Sequence, residues 1–183
     1  MKKILLTTIV LISYTFTANA QDIKYGAKAG LNFSNLEFDI SSDFEEDDAE
    51  DVNGKTGFYI GGFVDISVSE KFSIQPELLY SIEGAEDAGI SFINIPVMAK
   101  YYVASGLSLQ VGPQIGFLVD AEDDADEFLK STNFGLNAGI GYDLIGTGFF
   151  FDARYNFGLS DIGDTEGFEV KTKGIQIGVG YKF

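Results

Sequence analysis

The chain has 183 residues, no cysteine, histidine or tryptophan, and a formal net charge of −16. The length suits one domain of ordinary size. Without cysteine there is no disulfide framework, thiolate metal ligand or lipidated anchor, and without histidine the commonest general base is missing. A charge this negative leaves no basic patch for nucleic acid or anionic lipid, so no nucleic-acid partner is expected.

Met1-Lys2-Lys3 is a short basic start, residues 4–16 are an apolar run, and Ala18-Asn19-Ala20 is a small-x-small cleavage site. This pattern predicts a cleaved secretory signal peptide over 1–20 and a single domain over 21–183. The apolar run falls short of the roughly 20 residues a spanning helix needs. Losing Lys2 and Lys3 takes the charge from −16 to −18. Of the 28 acidic residues, 22 fall in the segments 34–55, 83–90, 120–131 and 159–171. Such runs repel themselves and bury little apolar surface, which predicts loops.

Between these segments the chain alternates. Tyr25, Ala27, Ala29, Leu31 and Phe33 oppose Lys24, Gly26, Lys28, Gly30 and Asn32, a first strand by its period of two. A second strand sets Phe58, Ile60, Val64 and Ile66 against Tyr59, Phe63 and Asp65, then turns at Ser69-Glu70-Lys71. The third sets Phe72, Ile74, Pro76, Leu78 and Tyr80 against Ser73, Gln75, Glu77 and Leu79. Pro76 has no N–H for the ladder, which predicts a bulge or local weakness there. In the fourth, Ile93 to Val103 alternate with Asn94, Pro96, Met98, Lys100 and Tyr102, while the phase at Phe92 is open. A turn at Ala104-Ser105-Gly106 leads to the fifth strand, in which Leu107 to Phe117 alternate with Ser108, Gln110, Gly112, Gln114 and Gly116. The sixth opposes Phe134, Leu136, Ala138, Ile140 and Tyr142 to Asn and Gly, with Asp143 at its end. Beyond the turn over 145–148, the seventh opposes Phe149, Phe151, Ala153, Tyr155 and Phe157 to Phe150, Asp152, Arg154 and Asn156. The eighth sets Ile175, Ile177, Val179, Tyr181 and Phe183 against Gly174, Gln176, Gly178, Gly180 and Lys182.

Eight strands are joined by connections that alternate long and short, the rhythm of a barrel with external loops and periplasmic turns. The apolar faces carry no charge, as a lipid face requires when a mid-depth charge costs about 2–4 kcal/mol. Aromatics fall at both ends of these faces: Phe33, Phe58, Tyr80, Phe117, Phe134 and Phe157 by the loops, and Tyr25, Phe72, Tyr101, Tyr142, Phe149, Tyr181 and Phe183 by the turns. Such pairs of belts mark the two membrane interfaces. The predicted fold is all-β, a transmembrane eight-stranded antiparallel up-and-down β-barrel, in the outer membrane of a Gram-negative-type bacterium with its lipid as the surrounding partner.

In a barrel this narrow the interior holds only side chains. The polar faces place Lys28, Asp65, Glu77, Lys100, Asp152 and Arg154 there, together with Asp143, Lys173 and Lys182 at the ends. Unpaired charge in a narrow interior is costly, so these residues are expected to form a structural charge network, with Glu77 and Lys100 pairing across adjacent strands. A proton or ion path is the competing reading. Residues 120–127 carry six carboxylates, but the EF-hand spacing fails, with no glycine sixth and Ser131 twelfth. The Gly57–Gly62 string matches no nucleotide fingerprint, since no helix follows. No catalytic residue, cofactor or metal site is assigned, and the protein is expected not to be an enzyme.

The signal ending Ala18-Asn19-Ala20, the opening Lys28-Ala29-Gly30-Leu31-Asn32-Phe33, and the stretches Gln75-Pro76-Glu77-Leu78-Leu79-Tyr80 and Asn94-Ile95-Pro96-Val97-Met98-Ala99-Lys100-Tyr101-Tyr102 carry a resemblance. With Gly112-Pro113-Gln114-Ile115-Gly116 and the final Tyr181-Lys182-Phe183, the chain resembles the eight-stranded outer-membrane β-barrel family, the porin-family or PorT-like proteins. The resemblance implies a fold and a location. It also implies that Phe183 is a terminal aromatic assembly signal, read by the outer-membrane assembly machinery through the last strand. The expected role is envelope structure, adhesion or recognition. A porin-like transport or secretion accessory comes second, and a lipid-modifying outer-membrane enzyme third.

Overall fold

A computed structural model describes residues 22–40, 55–85, 88–121, 132–160 and 168–183. The elements are β1 (Ile23–Ile40), β2 (Lys55–Ser69), β3 (Phe72–Ala85), β4 (Ala88–Tyr102), β5 (Leu107–Ala121), β6 (Thr132–Asp143), β7 (Phe149–Gly158) and β8 (Phe168–Lys182). Each pairs antiparallel with its neighbours in chain order, and β8 pairs with β1 to close the barrel. Closure leaves no open edge, so every strand's backbone has a partner on both sides, as a hydrocarbon surrounding demands. The short turns lie at 70–71, 103–106 and 144–148. Gly106, Gly146 and Gly148 take φ of +79°, +80° and +83° there, where an L side chain would be strained.

The alternation sorts the side chains inside out. Ile175, Ile177, Val179 and Tyr181 are exposed, as are Leu31, Ile60, Leu109, Val111 and Ile140 on other strands. The buried set is mostly polar, and its hydrophobic members are Tyr59, Phe63, Leu79, Phe92, Met98 and Phe150. Both aromatic belts stand on the outer surface.

Three features depart from simple alternation. The first is at Phe92, where the sequence left the phase open. Ser91 pairs with Asp120 and Phe92 with Leu118, so Val119 is an extra residue on β5, and Ser91 and Phe92 are both buried. The second concerns strand length. Segments 34–40, 55, 83–85, 88–90, 120–121 and 168–171, placed by the sequence in loops, are paired strand. Apolar alternation reports the lipid belt alone. Ladder bonds continue beyond it, since backbone pairing does not depend on what the side chains face. The central parts of the acidic segments and the signal segment lie outside the described residues. The third is the proline effect, which is wider than expected. The β2/β3 ladder skips two pairs between Phe63↔Glu77 and Ile66↔Ile74, beside Pro76, with its register kept; the register of this pair of strands shifts only near the turn, between Ser67 and Ser69. The β3/β4 ladder likewise skips two pairs between Pro76↔Val97 and Leu79↔Asn94, beside Pro96, and the β4/β5 ladder two pairs between Pro96↔Gln114 and Ala99↔Val111, beside Pro113, each resuming in the same register.

Candidate functional site

The only dense grouping of chemistry-bearing side chains among the described residues is the barrel interior, which is built in three layers. The middle layer is a quartet of two cations and two anions: Lys28 from β1, Glu77 from β3, and Asp152 and Arg154 from β7. The Arg154 guanidinium grips Glu77 with two bonds, Nη1 donating to Oε2 at 2.9 Å and Nη2 to Oε1 at 2.7 Å. Nη2 also lies 3.0 Å from Asp152 Oδ2, and Nε donates to Gln110 Oε1 at 3.1 Å. Lys28 Nζ donates to Asp152 Oδ2 at 2.5 Å, sits 3.6 Å from Glu77 Oε2, and lies 5.4 Å from the centre of the Tyr59 ring. The Tyr59 hydroxyl reaches Asp152 Oδ1 at 3.4 Å.

Nearer the turns is a second quartet, Asp65 from β2, Lys100 from β4, Asp143 from β6 and Lys182 from β8. Lys182 Nζ bridges Asp143 Oδ2 at 2.7 Å and Asp65 Oδ2 at 2.9 Å, and Lys100 lies 3.7 Å from Asp65. The Tyr102 hydroxyl donates to Asp143 at 3.0 Å. Phe150 stands in the middle, with both lysine ammoniums 5.5 Å from its ring centre. Each quartet carries two charges of each sign, so each is neutral.

Toward the loops the lining turns to carboxamides. Asn94 donates to Ser81 at 2.7 Å, Asn137 to Gln114 at 2.9 Å and Asn156 to Asn137 at 2.9 Å.

The six residues expected to form the interior network, Lys28, Asp65, Glu77, Lys100, Asp152 and Arg154, are all buried. One expected pairing is corrected. Glu77 and Lys100 both face inward, 3% and 0% exposed, but they do not pair with each other. Lys100 lies opposite Ser73 on β3, four residues from Glu77, or about 13 Å along a strand. They belong to different quartets, linked through Gln75, whose Nε2 donates to Glu77 at 2.7 Å while its Oε1 accepts from Lys100 at 3.1 Å. Sequence reasoning gave no role to Gln75, Gln110 or Tyr59. Their inward phase was visible, but their partners follow from strand order around the barrel. Lys173 is half-buried on the loop side of β8. Phe183 is 77% exposed, its ring 5.4 Å from Tyr181, and its N–H donates to the Tyr25 carbonyl at 2.8 Å.

Chemically, the arrangement holds Asp65, Glu77, Asp143 and Asp152 each against a cation. Among the described residues no group of three or more His, Cys, Asp or Glu is arranged to hold a metal ion.

Comparison with known proteins agrees with this architecture. The family model described as outer membrane protein beta-barrel domain matches residues 19–164. No curated protein matches the chain. Among solved structures, Neisserial surface protein A is similar with a TM-score of 0.54 at 15% identity, over 90% of this chain and 100% of that one. Ail, the attachment invasion locus protein of Yersinia pestis, is similar with a TM-score of 0.52 at 16% identity, over 87% of this chain and 98% of that one. At such identities the likeness is one of fold.

Proposed function

Because the chain belongs to the outer-membrane protein β-barrel domain family, we propose that its barrel is a sealed, non-enzymatic scaffold that holds acidic loops at the cell surface for envelope structure, adhesion or recognition. The observation that carries this reading is the filling of the interior by two neutral ionic quartets. Lys28, Glu77, Lys100 and Arg154 are almost without exposed surface, and every one of them has a partner of opposite sign. A solute path through an eight-stranded barrel would have to break these pairs, each costly to open in a low-dielectric interior. With the interior charge balanced, the acidic excess of the chain belongs to the segments between strands. Charge of that sign favours a partner bearing complementary charge. The six-residue network is then structural, and Phe183, edge to face with the Tyr181 ring just past β8, serves as the aromatic signal presented to the assembly machinery.

Single-channel recording in planar bilayers tests the sealed reading, with no steady conductance expected. A reproducible unitary current from the purified barrel would instead establish porin-like transport. Protease treatment of intact cells tests loop display, with cleavage expected first in 34–55 or 120–131. Lipid profiles of cells with and without the protein should match, and a lipid species altered only in its presence would establish an enzyme.

A further inference from the structure

The strands that meet at the closing seam, β1 and β8, carry glycine on much of their inner face. Gly30 lies opposite Gly178, and Gly26 and Gly180 flank them opposite Lys182 and Lys28. These four glycines form a floor that larger side chains from the neighbouring strands cover. A Cβ added at Gly26 would fall on the Phe63 ring, at Gly180 on the Phe150 ring, and at Gly178 on the Tyr59 hydroxyl. Phe63 and Tyr59 come from β2 and Phe150 from β7, so rings from either side lean over the seam. Phe63 and Phe150 meet above it edge to face, with centroids 5.3 Å apart and planes at 86°.

Ionic contacts cross the same line. Lys28 of β1 reaches over β8 to Asp152 of β7, and Lys182 of β8 reaches over β1 to Asp65 of β2, at 2.9 Å. The Tyr59 hydroxyl spans both seam strands to Asp152. Each seam strand thus sends its lysine across its partner to a carboxylate on the next strand, and the ring pair closes over the glycine between them. Beneath this, the β1/β8 register runs without a lapse from Gly26↔Lys182 to Ile40↔Phe168.

We propose that this set is an interior clasp: β2 and β7 hold β1 and β8 together through the Phe63–Phe150 ring pair and the two crossed lysine bridges, so that the seam joining the ends of the chain is locked from within. The glycines are what allow it, since a Cβ at Gly26 or Gly180 would collide with the ring of Phe63 or Phe150, and one at Gly30 or Gly178 with Tyr59. The clasp explains why three aromatics occupy positions on faces otherwise given to small and polar residues.

Amide hydrogen exchange of the full barrel in lipid bilayers, read strand by strand, tests the proposal. Phe63→Leu, Phe150→Leu and the double variant keep apolar bulk but remove the edge-to-face contact. Leu79→Ala, an interior deletion on β3, is the control. Each single variant is expected to speed exchange of the seam amides in 27–33 and 174–180 by about tenfold, with β4–β5 amides unchanged. The double variant should be little faster than either single, because one loss already opens the pair. Leu79→Ala should leave the seam amides unchanged. Exchange that rises equally around the barrel, singles whose effects multiply in the double, or a Leu79→Ala variant that loosens the seam as much would overturn the clasp. Should a leucine variant not fold, Tyr59→Phe, which removes only the seam-spanning hydroxyl, is read in the same way. It should accelerate the seam amides selectively by about threefold, and a seam unmoved by it would count against the proposal.

Discussion

The Arg154–Glu77 pair is where the interior network makes its sharpest energetic statement. Arg154→Met removes both guanidinium bonds, at 2.7 and 2.9 Å, and the bond to Gln110. Glu77 keeps the Gln75 amide at 2.7 Å and Lys28 at 3.6 Å, but Lys28 is already committed to Asp152 at 2.5 Å. Two carboxylates then share one ammonium, and the middle layer carries a buried charge of −1. Breaking a buried pair in this way costs about 3–5 kcal/mol. Glu77→Leu leaves the mirror problem, a guanidinium and an ammonium sharing Asp152, at a similar cost. The double variant restores neutrality, with Lys28 and Asp152 alone, so its cost should fall short of the sum of the singles by about 2–3 kcal/mol. The chain has no tryptophan, so unfolding in urea from lipid vesicles is followed by far-UV circular dichroism and by gel mobility without heating. A double variant whose cost equals the sum within about 0.5 kcal/mol would refute the reasoning, because each residue would then act through bulk rather than charge.

Other perturbations separate lumen, lipid face and rim. Val111→Arg, on the outer face midway along β5, is expected to cost about 2–4 kcal/mol in the same urea assay, whereas Val103→Arg in the short turn at the rim costs at most about 1 kcal/mol. Lys182→Met strips Asp65 and Asp143 of their shared ammonium and should cost about 3 kcal/mol. Lys24→Met, which breaks an exposed pair with Asp22, should stay within about 0.5 kcal/mol of the parent. Gly112→Ala would place a methyl against the Val97 carbonyl, a backbone atom with nowhere to swing. It should lower the urea midpoint, with a loss of about 1–3 kcal/mol, while Gly62→Ala, which meets only ordinary contact at 3.6 Å, should not.

How much of this was legible before the structure depended on the range of the interaction. The inside-out sorting of Ile177, Val179 and Tyr181 against Gln176, Gly178 and Gly180 is a local matter of period two, and a belt of aromatics at each end of the strands sets its direction. The membership of the interior network followed from the same phase. Its pairing did not, because Arg154 and Glu77 lie 77 residues apart in sequence and meet only across the bore. Glu77 and Lys100 look like partners because β3 and β4 are adjacent in sequence, yet register and strand tilt place them in different layers. The aromatic positions on the polar faces were visible too. Their use was not, since a glycine on β8 explains a ring on β7 or β2 only once the seam is known to lie between them.

The three prolines show how the wall of the barrel divides its labour. A closed sheet has no edge on which a residue without an N–H can sit harmlessly, and in hydrocarbon an unpaired backbone group is expensive. Pro76, Pro96 and Pro113 are all the prolines the chain has, and each interrupts the ladder toward the preceding strand. The interruptions fall on three successive ladders, β2/β3, β3/β4 and β4/β5, and so share one window of the wall. Behind that window stand Gln75, Glu77 and Met98, all buried, and Gln75 is the residue that ties one quartet to the other. Side chains therefore supply there the cohesion that the backbone gives up. The β1/β8 ladder is unbroken, and from its glycine-floored inner face Lys28 and Lys182 reach across to carboxylates on β7 and β2. The seam thus has backbone and charge together, whereas the proline window relies on its side chains where ladder pairs are missing. Removing the Arg154–Glu77 pair should therefore loosen β3 and β4 before it loosens β8, a sequence of events that strand-resolved hydrogen exchange of the Glu77→Leu, Arg154→Met double variant would reveal and that exchange beginning at β8 would contradict.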